Sequence, residues 1–150
     1  MATRLGLGEN GGMSLVPSPG NAAEIAALVV PFAEQNYGVQ LDYSAESLRT
    51  LDGIVDDLRR DQRFEALQTL LFSMGCYVGE VLVRHAGGRW RRTEEMGLGA
   101  VASSPIAVEM PDGKGCNPVA RVYRRFQRGR EDSLPAFFAA MAGTPPGPGA

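Results

Sequence analysis

From Gln62 to Ala86 the chain reads QRFEALQTLLFSMGCYVGEVLVRHA, and the spacing predicts one helix that is apolar on nearly every side. Phe64, Leu67, Leu71, Met74, Val78 and either Val81 or Leu82 fall on one side of it, and Leu70 and Tyr77 on another. A helix that is apolar all round must be surrounded, so the rest of the chain has to be built about this one. Its most apolar part, Glu65 to Glu80, contains Gln68, Thr69 and Ser73 and is expected to be too short to cross a hydrocarbon core of about 30 Å. The expectation is a central buried helix and no membrane span. Within it, Gly75 and Gly79 stand four residues apart, and each costs about 1 kcal/mol relative to alanine in a helix interior. Close approach of another element offsets such a cost, and a ligand filling the notch is the alternative. Glu80, a charged residue in this apolar run, is expected to pair with Arg84 at i+4 or to accept a hydrogen bond from Trp90.

The flanking sequence supplies the surround. With 150 residues, 44% of them hydrophobic, the chain has one domain's length and can bury roughly two thirds of its unfolded surface without a metal or disulfide. Residues 1–20 are rich in glycine and proline and read as a flexible segment, and 143–150, GTPPGPGA, as a disordered tail, leaving 21–142 as a single domain. Asn21 is an expected N-cap for a helix carrying Ile25, Leu28, Val29 and Phe32, which Pro31 should kink or divide and Gly38 should end. After an extended Val39 to Tyr43, Ser44 caps a second helix whose stripe is Leu48, Leu51, Val55 and Leu58, with Asp52, Asp56, Arg59 and Arg60 expected to face water. Beyond Gly87-Gly88 come β-prone pieces at Arg89 to Thr93, Leu98 to Ala102 and Ile106 to Met110. Asn117-Pro118 opens a fourth helix with Val119, Val122, Tyr123 and Phe126, closed by Gly129, and Ser133 caps a last one with Leu134, Phe137, Phe138 and Met141. The class is α+β: three N-terminal helices, a small antiparallel sheet of about three strands, and two C-terminal helices.

Catalytic chemistry finds little support. Cys76 and Cys116 have no CxxC spacing, and with one histidine, His85, they make neither a disulfide framework nor a four-ligand zinc site; no metal and no cofactor are expected. Cys76, Glu80 and His85 fail as a nucleophile set, because nine helical residues put His85 about 13 to 14 Å from Cys76 along the axis. Cys116 lies in a glycine-rich loop ahead of a helix N-terminus, where the dipole would lower a thiol pKa, although an ordinary loop cysteine is the simpler reading. Gly113-Lys114-Gly115-Cys116-Asn117 lacks the spacing of a phosphate loop. No residue is assigned a catalytic role. The N-terminal residues also lack the apolar stretch of a secretory signal, which makes the cytoplasm the expected location.

Charge is unevenly spread. The net charge is -2, yet acidic side chains prevail up to Val83 and basic ones from Arg84 onward. Arg89, Arg91 and Arg92 on the first strand, with Arg121, Arg124, Arg125 and Arg128 on the fourth helix, form the candidate contact surface for a protein partner of acidic character. A pI of about 5.4 and a single lysine argue against nucleic acid. The alternatives are a small-molecule or hydrolytic pocket at Gly75, Gly79 and Glu80 beside Trp90, and weak nucleic-acid binding through the arginines. A homodimer is compatible with the same surfaces.

Several short segments occur in a fixed order: Leu41-Asp42-Tyr43-Ser44, then Gly75-Cys76-Tyr77-Val78-Gly79-Glu80-Val81-Leu82, Gly87-Gly88-Arg89-Trp90, Asn117-Pro118 and Glu131-Asp132-Ser133-Leu134. Over about Phe32 to Met141 the chain resembles a family of uncharacterised bacterial proteins of actinobacterial type. Cys76 and His85 depart from that pattern, which counts against catalytic use of either. The resemblance implies a single bacterial domain and carries no activity with it. A non-catalytic interaction module, of regulatory or immunity type, is the resulting expectation.

Overall fold

The computed structural model describes residues 16–97 and 104–143. Among these residues the helices are α1 (Ala22–Ala27), α2 (Val29–Tyr37), α3 (Ser47–Asp61), α4 (Phe64–Ala86), α5 (Pro118–Arg128) and α6 (Leu134–Met141). The strands are β1 (Arg89–Arg92), β2 (Ile106–Glu109) and β3 (Gly115–Cys116), in an antiparallel sheet of order β1-β2-β3. The fold is α+β, as expected. The third strand is a short piece at Gly115–Cys116, where a loop was expected; the expected strand at 98–102 lies outside the described residues. Arg89 faces Glu109 and Arg92 faces Ile106 across the first pair, and Val108 faces Cys116 across the second.

Local chemistry explains most boundaries. Pro31 has no N–H for the Ala27 carbonyl and its ring crowds that oxygen, so the first helical stretch divides at Leu28. The buried stripe of α1 and α2 is Ala22, Ala26, Val29 and Ala33, not the larger Ile25, Leu28 and Phe32, and these small side chains let the pair lie close against α4. Asn21 sits at the N-cap position, but its side chain turns backward, accepting from the Ser18 N–H at 2.8 Å and donating to the Val16 carbonyl at 2.9 Å. The N-cap position of α3 is Glu46 and not the expected Ser44, whose Oγ nevertheless accepts from the N–H of Ser47, the first residue of the helix, at 3.1 Å. Asn117 and Ser133 accept from the N–H groups of Ala120 and Ala136, and each is followed within the first turn by a proline.

The apolar helix α4 is the centre of the molecule. Its 23 residues span about 35 Å, long enough by length and composition to cross a bilayer, which corrects the expectation that it is too short. Two thirds of its most apolar stretch is buried by the rest of the fold. Its most extensive contacts are with α5 and α1, while β1 and β2 cover a further part. Leu71, Met74, Cys76, Tyr77, Val78, Val81 and Leu82 are fully enclosed.

Candidate functional site

The glycine notch of α4 is filled by protein. A Cβ on Gly75 would stand 2.5 Å from the Val119 Cα, and one on Gly79 would overlap the Trp90 ring and come within 3.2 Å of Pro118 Cγ. Missing side chains thus seat the start of α5 and the indole of β1, and no room is left for a ligand there; the pocket reading of Gly75 and Gly79 is overturned by this packing. Glu80 is buried one residue further on and makes both expected contacts. Trp90 Nε1 donates to its Oε2 at 2.9 Å, and Arg84 Nε donates to its Oε1 at 3.2 Å. The carboxylate ties strand to helix.

Arg84 extends that tether toward the loop ahead of α3. Its guanidinium lies 3.7 Å over the Tyr43 ring, whose other neighbour is Tyr77, stacked at 4.6 Å between centroids. Tyr43 adopts φ +65°, the positive-φ non-glycine position among the described residues, at a cost of about 1–3 kcal/mol. Its N–H donates to Tyr77 Oη at 2.7 Å, and Ser47 Oγ lies 2.7 Å from the same oxygen. The Leu41-Asp42-Tyr43-Ser44 segment is thereby fastened to the Gly-x-Tyr-x-Gly-Glu segment, with Trp90 joining at Glu80. A tyrosine at this backbone angle needed such a stack to hold it, and no local pattern in the sequence announces it.

The arginines of α5 part company. Arg125, expected on the contact surface, is 1% exposed. Its Nε and one terminal nitrogen hold the two Asp52 carboxylate oxygens at 2.8 and 3.1 Å, and the other terminal nitrogen reaches Asp56 Oδ1 at 3.2 Å. Asp52 Oδ1 also accepts from the Leu134 N–H at 2.9 Å, so one carboxylate pins α3, α5 and α6 together. Asp52 and Asp56 are therefore not a water-facing pair, which corrects that expectation; Arg59 is exposed, as expected, and its Nε also donates to the Phe126 carbonyl at 2.7 Å near the end of α5. Burial alone would push the Asp56 carboxyl up, but the hydrogen bond and charge of Arg125, with Arg130 and Arg60, hold it below its usual range. Burial likewise opposes the charge on Arg125, and Asp52 and Asp56 more than restore it.

Arg121, Arg124 and Arg128 converge instead on Asp132, whose side chain is 6% exposed and which the sequence reading did not single out. Arg121 lies 3.0 Å from Asp132 Oδ1 and 5.0 Å over the Phe137 ring. Arg124 reaches the same oxygen only at 3.4 Å, and Arg128 Nε stands 3.5 Å from Oδ2, which receives no hydrogen bond from the described residues. The signal for Asp132 was the i+4 spacing from Arg128 within the Glu131-Asp132-Ser133-Leu134 segment. On the sheet, Arg89 and Arg91 share Glu109 at 3.2 and 2.6 Å, and those bonds hold its carboxyl below the usual range. An open hollow of about 280 Å³ beside them is lined by Arg91, Glu95, Met96, Glu109, Gly113 and Gly115. Arg92 is exposed at the end of β1.

The thiols are inert by placement. Cys76 and Cys116 are both buried; burial, with the Glu80 charge near Cys76, pushes each up to about 12. For Cys116 the direction is opposite to the lowering expected from the α5 dipole, and its cause is burial. Among the described residues, no group of three or more His, Cys, Asp or Glu side chains is placed to hold a metal ion.

A family model described as a family of unknown function (DUF6278) matches residues 22–112. The chain belongs to that family. No curated protein and no solved structure matches it. The matched stretch runs from α1 past β2, holding Gly75, Gly79, Glu80, Trp90, Asp52 and Asp56, whereas Arg121 to Asp132 lie beyond it.

Proposed function

We propose that this protein is a non-catalytic interaction domain of the bacterial cytoplasm that holds an acidic partner protein through the exposed arginines of α5. The observation that carries the reading is a surplus of guanidinium groups: three of them surround one buried carboxylate, and Arg124 and Arg128 are 49% and 55% exposed. Half-exposed arginines with donors to spare suit an acidic surface, since charge-assisted bonds to carboxylates are directional and steer association. Arg92 and Arg89 on β1 add exposed positive charge to the same molecule. The groups that chemistry would need are otherwise engaged: Glu80 holds Arg84 and Trp90, Asp52 and Asp56 hold Arg125, and both thiols are buried. A regulatory or immunity task, in which one domain occupies another protein, fits this arrangement.

The test is capture from a lysate of the source organism at low and moderate salt, with wild type against Arg124→Glu, Arg128→Glu. Arg125 must be left intact, because removing a buried guanidinium strands Asp52 at about 3–5 kcal/mol. One acidic protein retained by the wild type and lost from an equally folded variant is expected. Unchanged retention, or retention only of nucleic acid that salt removes, contradicts the proposal.

A further inference from the structure

Arg121 and the other two arginines do not share Asp132 equally. Arg121 is 25% exposed and has both the shortest contact with the carboxylate and the Phe137 ring beneath it. It neutralises Asp132 in place. Arg124 and Arg128 stand one helical turn apart on the same face of α5, which puts their side chains side by side. What opposes them is Asp132, Arg124 sharing Oδ1 with Arg121 and Arg128 facing Oδ2, and, for Arg128, the exposed Glu131 at 3.7 Å. The crowding of like charge is felt at Arg121, whose pKa is lowered first by burial and then by the Arg124 charge, with Arg128 adding to it.

We infer that Arg124 and Arg128 form a two-pronged clasp for neighbouring carboxylates on an acidic segment of the partner, and that Asp132 and Glu131 compete for it from within until that segment displaces them. This rests on the interaction reading above and adds its ligand chemistry and its brake. A segment of consecutive glutamates or aspartates supplies two carboxylates at the spacing of two side-by-side guanidiniums. Each then gains closer contacts than the 3.4 and 3.5 Å it has with Asp132. Arg121 keeps Asp132 neutralised while the exchange occurs, so the buried carboxylate is never left alone.

The probe is a labelled octaglutamate peptide, titrated with the full chain at low salt and read by fluorescence anisotropy. Arg124→Gln with Arg128→Gln should weaken binding about tenfold, and Asp132→Asn should strengthen it about two- to fivefold, since it releases the half-exposed Arg124 and Arg128 from contacts of 3.4 and 3.5 Å. Because Asp132 is buried, its variant is checked by thermal melting; if it does not fold, Glu131→Gln decides alone, since that side chain is exposed and its loss should also tighten binding. Peptide binding indifferent to the double glutamine variant overturns the clasp. Unchanged affinity in the folded Asp132 or Glu131 variants overturns the internal competition. If the captured partner is still lost from Arg124→Glu, Arg128→Glu in either case, the interaction reading stands without this inference; if capture too is unchanged, both fall.

Discussion

Gly79 and Trp90 are the clearest case of one residue dictating another, since the indole occupies the volume a side chain would take. Gly79→Ala should destabilise the fold by about 1–3 kcal/mol through overpacking. Gly53, on the exposed side of α3 with nothing near its missing Cβ, should respond oppositely, Gly53→Ala gaining about 0.5–1 kcal/mol. Denaturant midpoints of the two variants check this pair, and equal effects of one sign would refute the packing account. A second prediction concerns the thiols. Cys76 and Cys116 are pushed from 9.0 to about 12 in the fold, so the folded state keeps protons that the unfolded chain releases. Their contribution is complete below pH 9 and is lost as pH rises toward 12, with Tyr37, raised to about 12 by burial and Asp57, acting in the same direction. Urea midpoints should fall across that alkaline window, and less steeply for Cys116→Ala; a flat profile would mean that the thiols are not buried.

Among the elements, what the sequence discloses and what it withholds divide by range. Asn117 and Ser133 cap their helices, and Ser44 bonds the first amide of α3, because a side-chain oxygen three residues ahead of an amide settles the matter locally. The apolar periods of α3 to α6 are likewise legible, and the Gly75 and Gly79 notch pointed correctly to close packing. Arg125 was misplaced because its partner Asp52 lies 73 residues earlier, and only the docking of α5 on α3 brings them together. On a helical wheel, Asp52, Asp56 and Arg125 look like solvated charge; a buried guanidinium with matched carboxylates leaves the same trace in the sequence. The small-residue stripe of α1 and α2 was hidden for a related reason, alanine being weak evidence for a core face. One consequence is that α5 and α6 are parts of the fold and no appendage. A chain ended at Asp112, where the family match stops, would bare Gly75, take Pro118 from beside Gly79 and leave Asp52 without Arg125. It should show no cooperative thermal transition, and a sharp melt at the full chain's temperature would contradict this.

Across the whole molecule, the charge asymmetry is largely consumed within the fold. Asp52 and Asp56 of the acidic half hold Arg125, Asp56 also meets Arg130 at 3.6 Å, and Glu80 holds Arg84. What remains on α5 is the half-exposed pair Arg124 and Arg128, beside a carboxylate already claimed by Arg121. The central claim is that this remainder is the working surface. It is tested most directly by titrating the captured partner calorimetrically into the wild type and into Arg124→Glu, Arg128→Glu, with thermal melts showing both folded. The account predicts saturable binding that weakens with salt and disappears in the variant; equal affinity for the two proteins would contradict it.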